Sequence, residues 1–383
     1  MRLLLKIIVA IALGIGAGMF FPDWLARCFA TFNSVFASFL GFVIPLLIVG
    51  FVAPAIGDIG RKAGYMLGLT VVIAYIMTFC SGMISYVTSS LAFPELIDSS
   101  SLAGNASGSS AGGSPVPFFT IDIEPLMSVM TSLVLAFVLG FGVAVIERAS
   151  ALRRGLSEFR DVIHLIIFKV IIPLLPLYIF GIFMTITAEG VVGSLLATFM
   201  KIILVIFAMH FGVLILQYCV AALFSHKNPF RSLWTMAPAY FTALGTQSSA
   251  ATIPVTLERT VAMGVDRNVA GFVVPLCATI HMSGSTLKIV ACAVALMIAK
   301  GMPFDAAMFS GFVAMLGITI VAAPGVPGGA IMASLGLLSS MLGFSEADNA
   351  LMIALYISMD SFGTACNITG DGAIAQIVGR LCR

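Results

Sequence analysis

The chain has 383 residues, of which 60% are hydrophobic and 9% charged, and its mean hydropathy is +1.12. This composition excludes a soluble globular protein and indicates a membrane protein that crosses the bilayer several times. The formal net charge is +2 and the sequence contains no basic patch, so we expect no nucleic-acid partner. At about 20 residues per crossing, the length allows eight transmembrane spans and two shorter hairpins.

The N-terminal part of the chain, residues 1–229, predicts six apolar spans. The start could pass for a signal peptide, but a second span follows within a few residues, which favours a first transmembrane helix. A Gly/Ser-rich segment, residues 99–114, predicts a slack tether or a plain disordered loop between spans three and four. The approximate bounds of the spans are 1–56 for the first two, then Gly64–Phe93, Leu126–Val145, Val162–Ala188 and Val191–Phe224.

Lysine and arginine are distributed unevenly over the predicted loops. Most of the 19 basic residues fall on one side of the membrane if both termini lie on that side. Positively charged loops remain in the cytoplasm. We therefore expect a multi-pass protein of the plasma membrane, the inner membrane of a bacterium, with both termini in the cytoplasm.

The C-terminal part, residues 230–383, has a different organisation. The apolar stretch 230–257 is interrupted by GTQSSAATIP, which predicts a re-entrant hairpin that enters from inside. Span seven, about 269–299, is broken at ATIHMSGST, and a second hairpin, 304–343, enters from outside with APGVPGGA at its tip. A hairpin plus a broken helix thus occurs twice from opposite faces, which is typical of inverted repeats with a binding site at the membrane midplane.

Two acidic residues lie inside predicted apolar spans, Asp360 and Asp371, both in the last span. A carboxylate at membrane depth costs about 3 kcal/mol or more and indicates a functional site. Their spacing predicts one helix face and a separation of about 16 Å, with Thr364 and Asn367 between them. The glycines nearby predict that the helix loosens and offers carbonyls to a cation. The alternative is a set of polar residues that only pack helices together.

Four motifs in the C-terminal part resemble, in order, those of the sodium-coupled dicarboxylate and neutral amino acid symporters related to glutamate transporters. TQSSAATIPV resembles the serine-rich tip of the first hairpin, and PGVPGG looks like the tip of the second. VPLCATIHMSGST is similar to the Pro-Leu-Gly-Ala-Thr-Ile-Asn-Met-Asp-Gly-Thr motif of span seven. DSFGTACNITGD is similar to the Asp-x-x-Arg-Thr-x-x-Asn-x-x-Gly-Asp motif. The N-terminal half resembles this family only in hydropathy.

The resemblance implies an all-α polytopic membrane protein with the glutamate-transporter-homologue fold: eight transmembrane helices, two re-entrant helical hairpins and inverted repeats. Residues 1–229 would form the scaffold and trimer contacts from spans 1, 2, 4 and 5, with spans 3 and 6 at the periphery. Residues 230–383 would form a transport core that moves like an elevator. The expected partners are an amino acid, the lipid bilayer and the other subunits of a homotrimer, and the expected protein is not an enzyme.

The resemblance also implies a substrate site. Asp360 would bind the substrate ammonium, and Thr364 and Asn367 its polar groups. The first hairpin would bind the α-carboxylate, and the second would close over the ligand. The implied substrate residues are Ser248, Ser249, Ser285, Val326, Ala330, Asp360, Gly363, Thr364 and Asn367.

Sodium is the implied coupling ion, with hard oxygen ligands. In span seven the family's Asn and Asp are replaced by His281 and Ser283, and the lost carboxylate removes a ligand of a further sodium site. We therefore expect one or two sodium ions and no third site. The first site would use Asp371 with carbonyls of Cys277, His281 and Asn367, and the second carbonyls of Thr279, Ile320, Val321 and Ala323.

The substrate is expected to be neutral. Acidic-substrate members place an arginine where this chain has Gly363 or Gln247, and neither residue can pair a side-chain carboxylate. The combination of DSxxTAxN with SSAA is most similar to the serine/threonine sodium symporters of the family, so we predict import of a small hydroxy amino acid.

A proton-coupled or dicarboxylate carrier of the same fold is the alternative, and an ion channel is a different class. An intramembrane aspartic protease is disfavoured because its carboxylates face each other from two helices.

Two residues of span seven have open roles. His281 could titrate near neutral pH and couple a proton, or contribute its carbonyl while its ring is hydrogen-bonded nearby. Lys288 could act as a fixed or titrating cation where sodium would otherwise lie, or it could snorkel outward or pair with a carbonyl.

Overall fold

The computed structural model describes residues 2–20, 22–61, 65–97, 115–146, 150–188, 192–321 and 328–382. Within these ranges the secondary structure is helical, without a β-strand, and a π-helical turn at Ile167–Ile171 joins α5 to α6. The predicted linker 99–114 lies outside the described residues. The α-helices are α1 Arg2–Phe20, α2 Asp23–Arg61, α3 Tyr65–Leu96, α4 Val129–Val145, α5 Ser150–Ile166, α6 Ile172–Ala188, α7 Val192–Ser225, α8 Pro229–Thr235, α9 Ala237–Thr246, α10 Ser249–Ala262, α11 Arg267–Ile280, α12 Ser283–Ala299, α13 Ala306–Val321, α14 Gly329–Leu342, α15 Glu346–Ser358 and α16 Asp360–Leu381.

Several of these helices are long and apolar enough to cross a membrane. In the described part of the chain, five candidate spans pass by length and composition alone, and the bent pair α15 and α16 passes together as a sixth. The five spans are Asp23–Pro54, Tyr65–Leu96, Ser150–Thr185, Phe199–Ser225 and Arg267–Ala299, and the shorter apolar helices are Leu5–Phe20, Val134–Val145, Ala306–Val321 and Gly329–Leu342. The number of eight spans and two hairpins stays a prediction.

Five of the N-terminal helices, α1, α2, α4, α5 and α6, pack mainly on one another. α1 packs on α6, and α2 packs on α4, α5 and α6. Gly14 and Gly18 bring α1 against the α6 backbone, because an added Cβ would lie 2.6 Å from the Phe180 carbonyl oxygen and 2.5 Å from that of Met184. Small residues four apart allow such close contact between membrane helices. The outer faces of this group carry exposed apolar side chains, for example Leu13, which a bilayer would cover.

α12 and α16 form the centre of the C-terminal part. Nearly every residue of α12 is buried, and so are most residues of α16 up to Val378. α3 packs on α12, while α7, α9, α10 and α11 pack on α16. Polar side chains on α12 and α16 are therefore kept away from lipid and can be paired with one another.

Span seven is broken where the sequence predicts a break. α11 ends at Ile280 and α12 begins at Ser283, and the two residues between them, His281 and Met282, have non-helical backbone. Such an interruption frees backbone groups, which must find partners inside the protein because lipid offers none. The predicted interruption within ATIHMSGST is confirmed.

The two predicted hairpins correspond to two pairs of short helices in contact. α9 packs on α10, and only Gln247 and Ser248 separate them, with Gln247 in the left-handed region at φ 54°. α13 packs on α14 in the same way. The predicted tip of this second pair includes residues 322–327, which lie outside the described residues together with two predicted site residues, Ala323 and Val326.

The last span is bent before Asp360. α15 ends at Ser358, α16 begins at Asp360, and the two helices meet at 62°. From there α16 continues as one helix to Leu381. The prediction that the helix loosens between Asp360 and Asp371 is therefore wrong, since the interruption lies at Met359.

The glycines of α16 make room for side chains of other helices. A Cβ on Gly363 would lie 2.7 Å from Lys288 Nζ, and one on Gly370 would lie 2.5 Å from Gln217 Oε1 and from His281 Cε1. Real Cβ atoms do not approach other atoms this closely, so a side chain at either position would force these neighbouring side chains to shift. These two glycines let side chains of other helices lie close to the α16 backbone, and they do not make the helix flexible.

Candidate functional site

The carboxylate of Asp360 lies at the bend between α15 and α16, and both of its oxygens are bound. Oδ1 accepts a hydrogen bond from Lys288 Nζ at 2.8 Å, and Oδ2 accepts one from the backbone N–H of Gly328 at 2.7 Å. Lys288 is 0% exposed and Asp360 is 4% exposed. One carboxylate therefore connects α16 to α12 and to the residue that precedes α14.

The Lys288 ammonium is held by groups of the last span. Nζ lies 3.5 Å from the centroid of the Tyr356 ring and 3.5 Å from the Met359 carbonyl oxygen. A desolvated cation over an aromatic face gains about 2 kcal/mol. Because the side chain is completely buried, the alternative that it snorkels outward is wrong. The carbonyl contact exists, but the shorter contact is with the carboxylate.

Asn367 organises the start of α12. Its Oδ1 accepts hydrogen bonds from the backbone N–H groups of Gly284 at 2.8 Å and Ser285 at 3.3 Å, and its Nδ2 donates to Ser285 Oγ at 3.1 Å. The first N–H groups of a helix have no partner within the helix, and the amide supplies one. The Tyr356 hydroxyl donates to Ser285 Oγ at 3.1 Å. Ser285 and Asn367, both predicted substrate residues, are thus brought together.

Asp371 is paired with the ring of His281. Nδ1 lies 2.9 Å from Asp371 Oδ1 and 3.2 Å from the backbone carbonyl oxygen of Asn367. A carbonyl oxygen can only accept a hydrogen bond, so Nδ1 carries a proton in this arrangement. Nε2 lies 3.5 Å from Gln217 Nε2. The ring is therefore hydrogen-bonded nearby, as one of the two interpretations of His281 expects.

The contacts between span seven and the last span follow an antiparallel order. His281 contacts Asp371, Gly284 contacts Asn367 and Lys288 contacts Asp360. Residue numbers rise on one segment while they fall on the other. Both buried carboxylates therefore face the same neighbour, which agrees with their predicted position on one face of the helix.

The oxygens implied for the first sodium site already have an N–H donor. Asp371 Oδ1 and the Asn367 carbonyl oxygen both lie within hydrogen-bond distance of His281 Nδ1, so a sodium ion would compete with the ring for these two atoms. Asp371 Oδ2 is buried and has no hydrogen-bond partner among the described residues, which suits a hard cation. The carbonyl oxygen of Cys277 accepts the backbone N–H of His281 at the end of α11.

The other predicted residues lie at helix ends around this centre. Ser248 caps α10, with its side chain accepting the N–H of Ala251, and Ser249 begins that helix, which packs on α16. Thr364 is buried on α16 and Ala330 is buried on α14. For the second sodium site, Thr279 is exposed near the end of α11, while Ile320 and Val321 end α13, which contacts α11.

The roles of two tyrosines at the site were not predicted. Tyr356 covers Lys288 with its ring and bonds Ser285 with its hydroxyl. Tyr218 donates from its hydroxyl to the Thr369 carbonyl oxygen at 2.8 Å. Both tyrosines lie in apolar stretches of the sequence, where a tyrosine by itself predicts only core packing. The one available signal was its hydroxyl group, because a buried tyrosine hydroxyl usually has a polar partner nearby.

Comparisons with known proteins extend the likeness over the whole chain. A family model described as "Sodium:dicarboxylate symporter family" matches residues 3–381. The chain is 26% identical over 383 residues to the serine/threonine transporter SstT of Acinetobacter baumannii (strain AYE), covering 97% of this chain and 94% of that protein. It is 25% identical over 382 residues to the serine/threonine transporter SstT of Acinetobacter baylyi, covering 97% of this chain and 95% of that protein.

Proposed function

The chain belongs to the sodium:dicarboxylate symporter family, and from this premise we propose that it imports a small neutral amino acid, serine or threonine, together with sodium. The family assigned from the four motifs is confirmed, and the chain is a membrane transporter rather than an enzyme. The observation that carries the proposal is the enclosed polar cluster on α16, in which Asp360, Thr364 and Asn367 are buried. The names of the two relatives support the choice of substrate.

Each part of a bound amino acid has a proposed partner. Asp360 takes the ammonium, since a buried carboxylate is stabilised by a cation. Thr364 and Asn367 contact the polar groups. Ser248, Ser249 and the N-terminus of α10 take the α-carboxylate, because a helix start offers unpaired N–H groups and a favourable dipole. Ser285 and Gly363 line the site, and Val326 and Ala330 of the second hairpin cover it.

The proposed architecture is the elevator of this family. Within residues 1–229, spans 1, 2, 4 and 5 form a scaffold that joins three copies in a homotrimer, with spans 3 and 6 at the periphery, and residues 230–383 form the core that carries the ligand across. Eight spans and two re-entrant hairpins cross or enter the inner membrane of a bacterium, and both termini lie in the cytoplasm. The mutual packing of α1, α2, α4, α5 and α6, apart from the α12 and α16 centre, supports this division.

Sodium is proposed as a co-transported substrate, with one or two ions per cycle. Asp371 and the carbonyls of Cys277, His281 and Asn367 form the first site. The second uses carbonyls at Thr279 and at the end of α13, with Ala323. Ser283 brings no carboxylate, so a third site is not proposed.

Replacing sodium by choline will reduce serine uptake into proteoliposomes by about ten-fold or more, because coupling free energies of 1–3 kcal/mol correspond to about 5–150-fold. The measurement is uptake of radiolabelled L-serine with equal ionic strength inside and outside. Liposomes with a sodium ionophore provide the control, since a collapsed gradient must also stop accumulation. Full uptake in choline driven by an inward proton gradient would instead support the proton-coupled alternative.

His281→Asn will raise the apparent affinity for sodium by about ten-fold, because it replaces the imidazole Nδ1–H, which competes for Asp371 Oδ1, with an amide that can turn its oxygen toward the ion. A hydrogen bond to a charged group is worth about 1.5–3 kcal/mol. The measurement is serine uptake as a function of sodium concentration. His210→Asn is the matched control, because this buried histidine bonds the Gly284 carbonyl oxygen instead. An unchanged sodium curve for His281→Asn would show that ring and ion do not compete.

A further inference from the structure

The ion pair between Lys288 and Asp360 differs from the other ion pairs of the described residues. It joins an ammonium to a carboxylate with side chains that are 0% and 6% exposed, whereas the other pairs that involve lysine or arginine have an exposed or half-exposed partner. Breaking such a pair so that one charge stays buried and uncompensated is strongly destabilising. Any ligand that separates these two groups must therefore supply a negative partner for Lys288 and a positive partner for Asp360.

Lys288 binds the carboxylate oxygen that an amino acid substrate would use. Its Nζ is a primary ammonium 2.8 Å from Asp360 Oδ1, and the other oxygen, Oδ2, is bound by the Gly328 N–H. The ammonium of an amino acid has the same charge and the same donors as a lysine side chain. The resident ammonium and the substrate ammonium are thus chemically equivalent competitors for one position.

We propose that Lys288 is a substrate-binding and specificity-determining residue: the substrate ammonium replaces it at Asp360, and the substrate carboxylate becomes its new partner. This inference rests on the proposed function. The exchange leaves no charge unpaired, since a zwitterion inserted between the two groups satisfies Asp360 at one end and Lys288 at the other. A carboxylate accepts about four hydrogen bonds, so it can bind Lys288 and the start of α10 together.

The Lys288 side chain can leave Asp360 without a movement of its own helix. Lysine carries its charge on four methylene groups with many rotamers, so Nζ can move while the helix stays fixed. The face of the Tyr356 ring keeps a cation in place at 3.5 Å, independently of Asp360. Gly363 has no side chain, so the end of Lys288 packs directly against the α16 backbone there.

The pair has a consequence for selectivity. Lys288 and Asp360 together carry no net charge, so the site matches a ligand that has one positive and one negative group. An amine without a carboxylate would leave Lys288 unpaired, and a carboxylate without an amine would leave Asp360 unpaired. Lys288→Met keeps the length of the side chain and makes the site match a simple cation instead.

The experiment uses the full chain in proteoliposomes and three probes of similar size: L-serine, ethanolamine, which lacks the carboxylate, and 3-hydroxypropionate, which lacks the amine. Each probe is tested, unlabelled, as a competitor of radiolabelled L-serine uptake. Each is also tested for thermal stabilisation of the purified protein. The native protein will prefer serine to both analogues by about 100-fold. In Lys288→Met the preference of serine over ethanolamine will fall by about ten-fold or more, whereas 3-hydroxypropionate stays a poor ligand. Lys288→Arg will keep the native order.

Lys201→Met is the matched control, because this lysine also lies in a span but its Nζ bonds the Leu96 carbonyl oxygen. If a monodisperse Lys288→Met protein kept the native ratio of apparent affinities for serine and ethanolamine, the inference would be overturned. If that variant does not fold, Lys288→Met combined with Asp360→Asn removes both charges, and continued preference for serine over both analogues would overturn it equally.

The outcomes separate this inference from the proposed function. Transport of serine by the native protein with an unchanged Lys288→Met ratio refutes only the role of Lys288. Stabilisation by zwitterions other than serine and threonine, with the expected change in Lys288→Met, refutes only the choice of substrate. Stabilisation by no zwitterion at all refutes both.

Discussion

Asp360→Asn will reduce serine uptake by about 100-fold or more, because a buried ammonium that loses its carboxylate partner loses about 3–5 kcal/mol. Asparagine keeps the shape of the side chain, and its one oxygen can still accept the Gly328 N–H. The measurement is uptake of radiolabelled L-serine into proteoliposomes that contain equal amounts of protein. Normal uptake would remove Asp360 from the substrate site.

Asp360→Asn needs a control for the effect of the unpaired Lys288 on stability. Asp360→Asn also leaves Lys288 buried without its carboxylate, which is destabilising in itself. The double variant with Lys288→Met removes both charges, and replacing both partners of a buried pair is often neutral for folding. We expect the double variant to regain the thermal stability of the native protein but not its uptake, which would show that uptake is lost with the charged groups of the site and not through misfolding.

Gly363→Arg alone will reduce serine uptake by about 100-fold. It will support aspartate uptake only when Lys288→Met is also present. A Cβ at position 363 would lie 2.7 Å from Lys288 Cε and Nζ, so any side chain there must displace the lysine. Arginine would in addition place two cations at one carboxylate, and like charges in a low dielectric repel strongly. In the double variant, arginine pairs Asp360 and can bind a side-chain carboxylate through its fork of donors.

The measurement is counterflow with serine, aspartate and glutamate for the single and double variants. Gly363→Gln in the Lys288→Met background is the matched control, since it fills the same space without charge and should not admit aspartate. Aspartate uptake by Gly363→Arg alone would show that Lys288 does not occupy this space during transport.

The sequence predicted the features that depend on local pattern. The break in span seven follows from a run of small and polar residues, and the turn at Gln247 and Ser248 follows from the polar interruption of an apolar stretch. Asp360 and Asp371 stand out because a carboxylate is rare in an apolar span. In each case the signal lies within a few residues of the feature.

The contacts between distant segments could not be predicted in this way. Periodicity places Lys288 on a helix face, but it does not identify the carboxylate that this face meets. The glycines of α16 suggested a loosened helix, whereas the structure uses Gly363 and Gly370 to admit side chains of other helices. The bend at Met359 lacks a local proline or glycine, and it coincides with the contacts of Asp360 to Lys288 and Gly328, which are distant in sequence.

The antiparallel contacts between span seven and α16 join the proposed sodium and substrate positions. The His281, Gly284 and Lys288 contacts with Asp371, Asn367 and Asp360 act as three cross-braces spread over about 16 Å of helix. On loading, the proposed substrate would replace the Lys288 contact at one end and sodium would compete with the His281 contact at the other, so the two ligands would act on opposite ends of one set of contacts. Span seven and α16 would thereby link the two binding events.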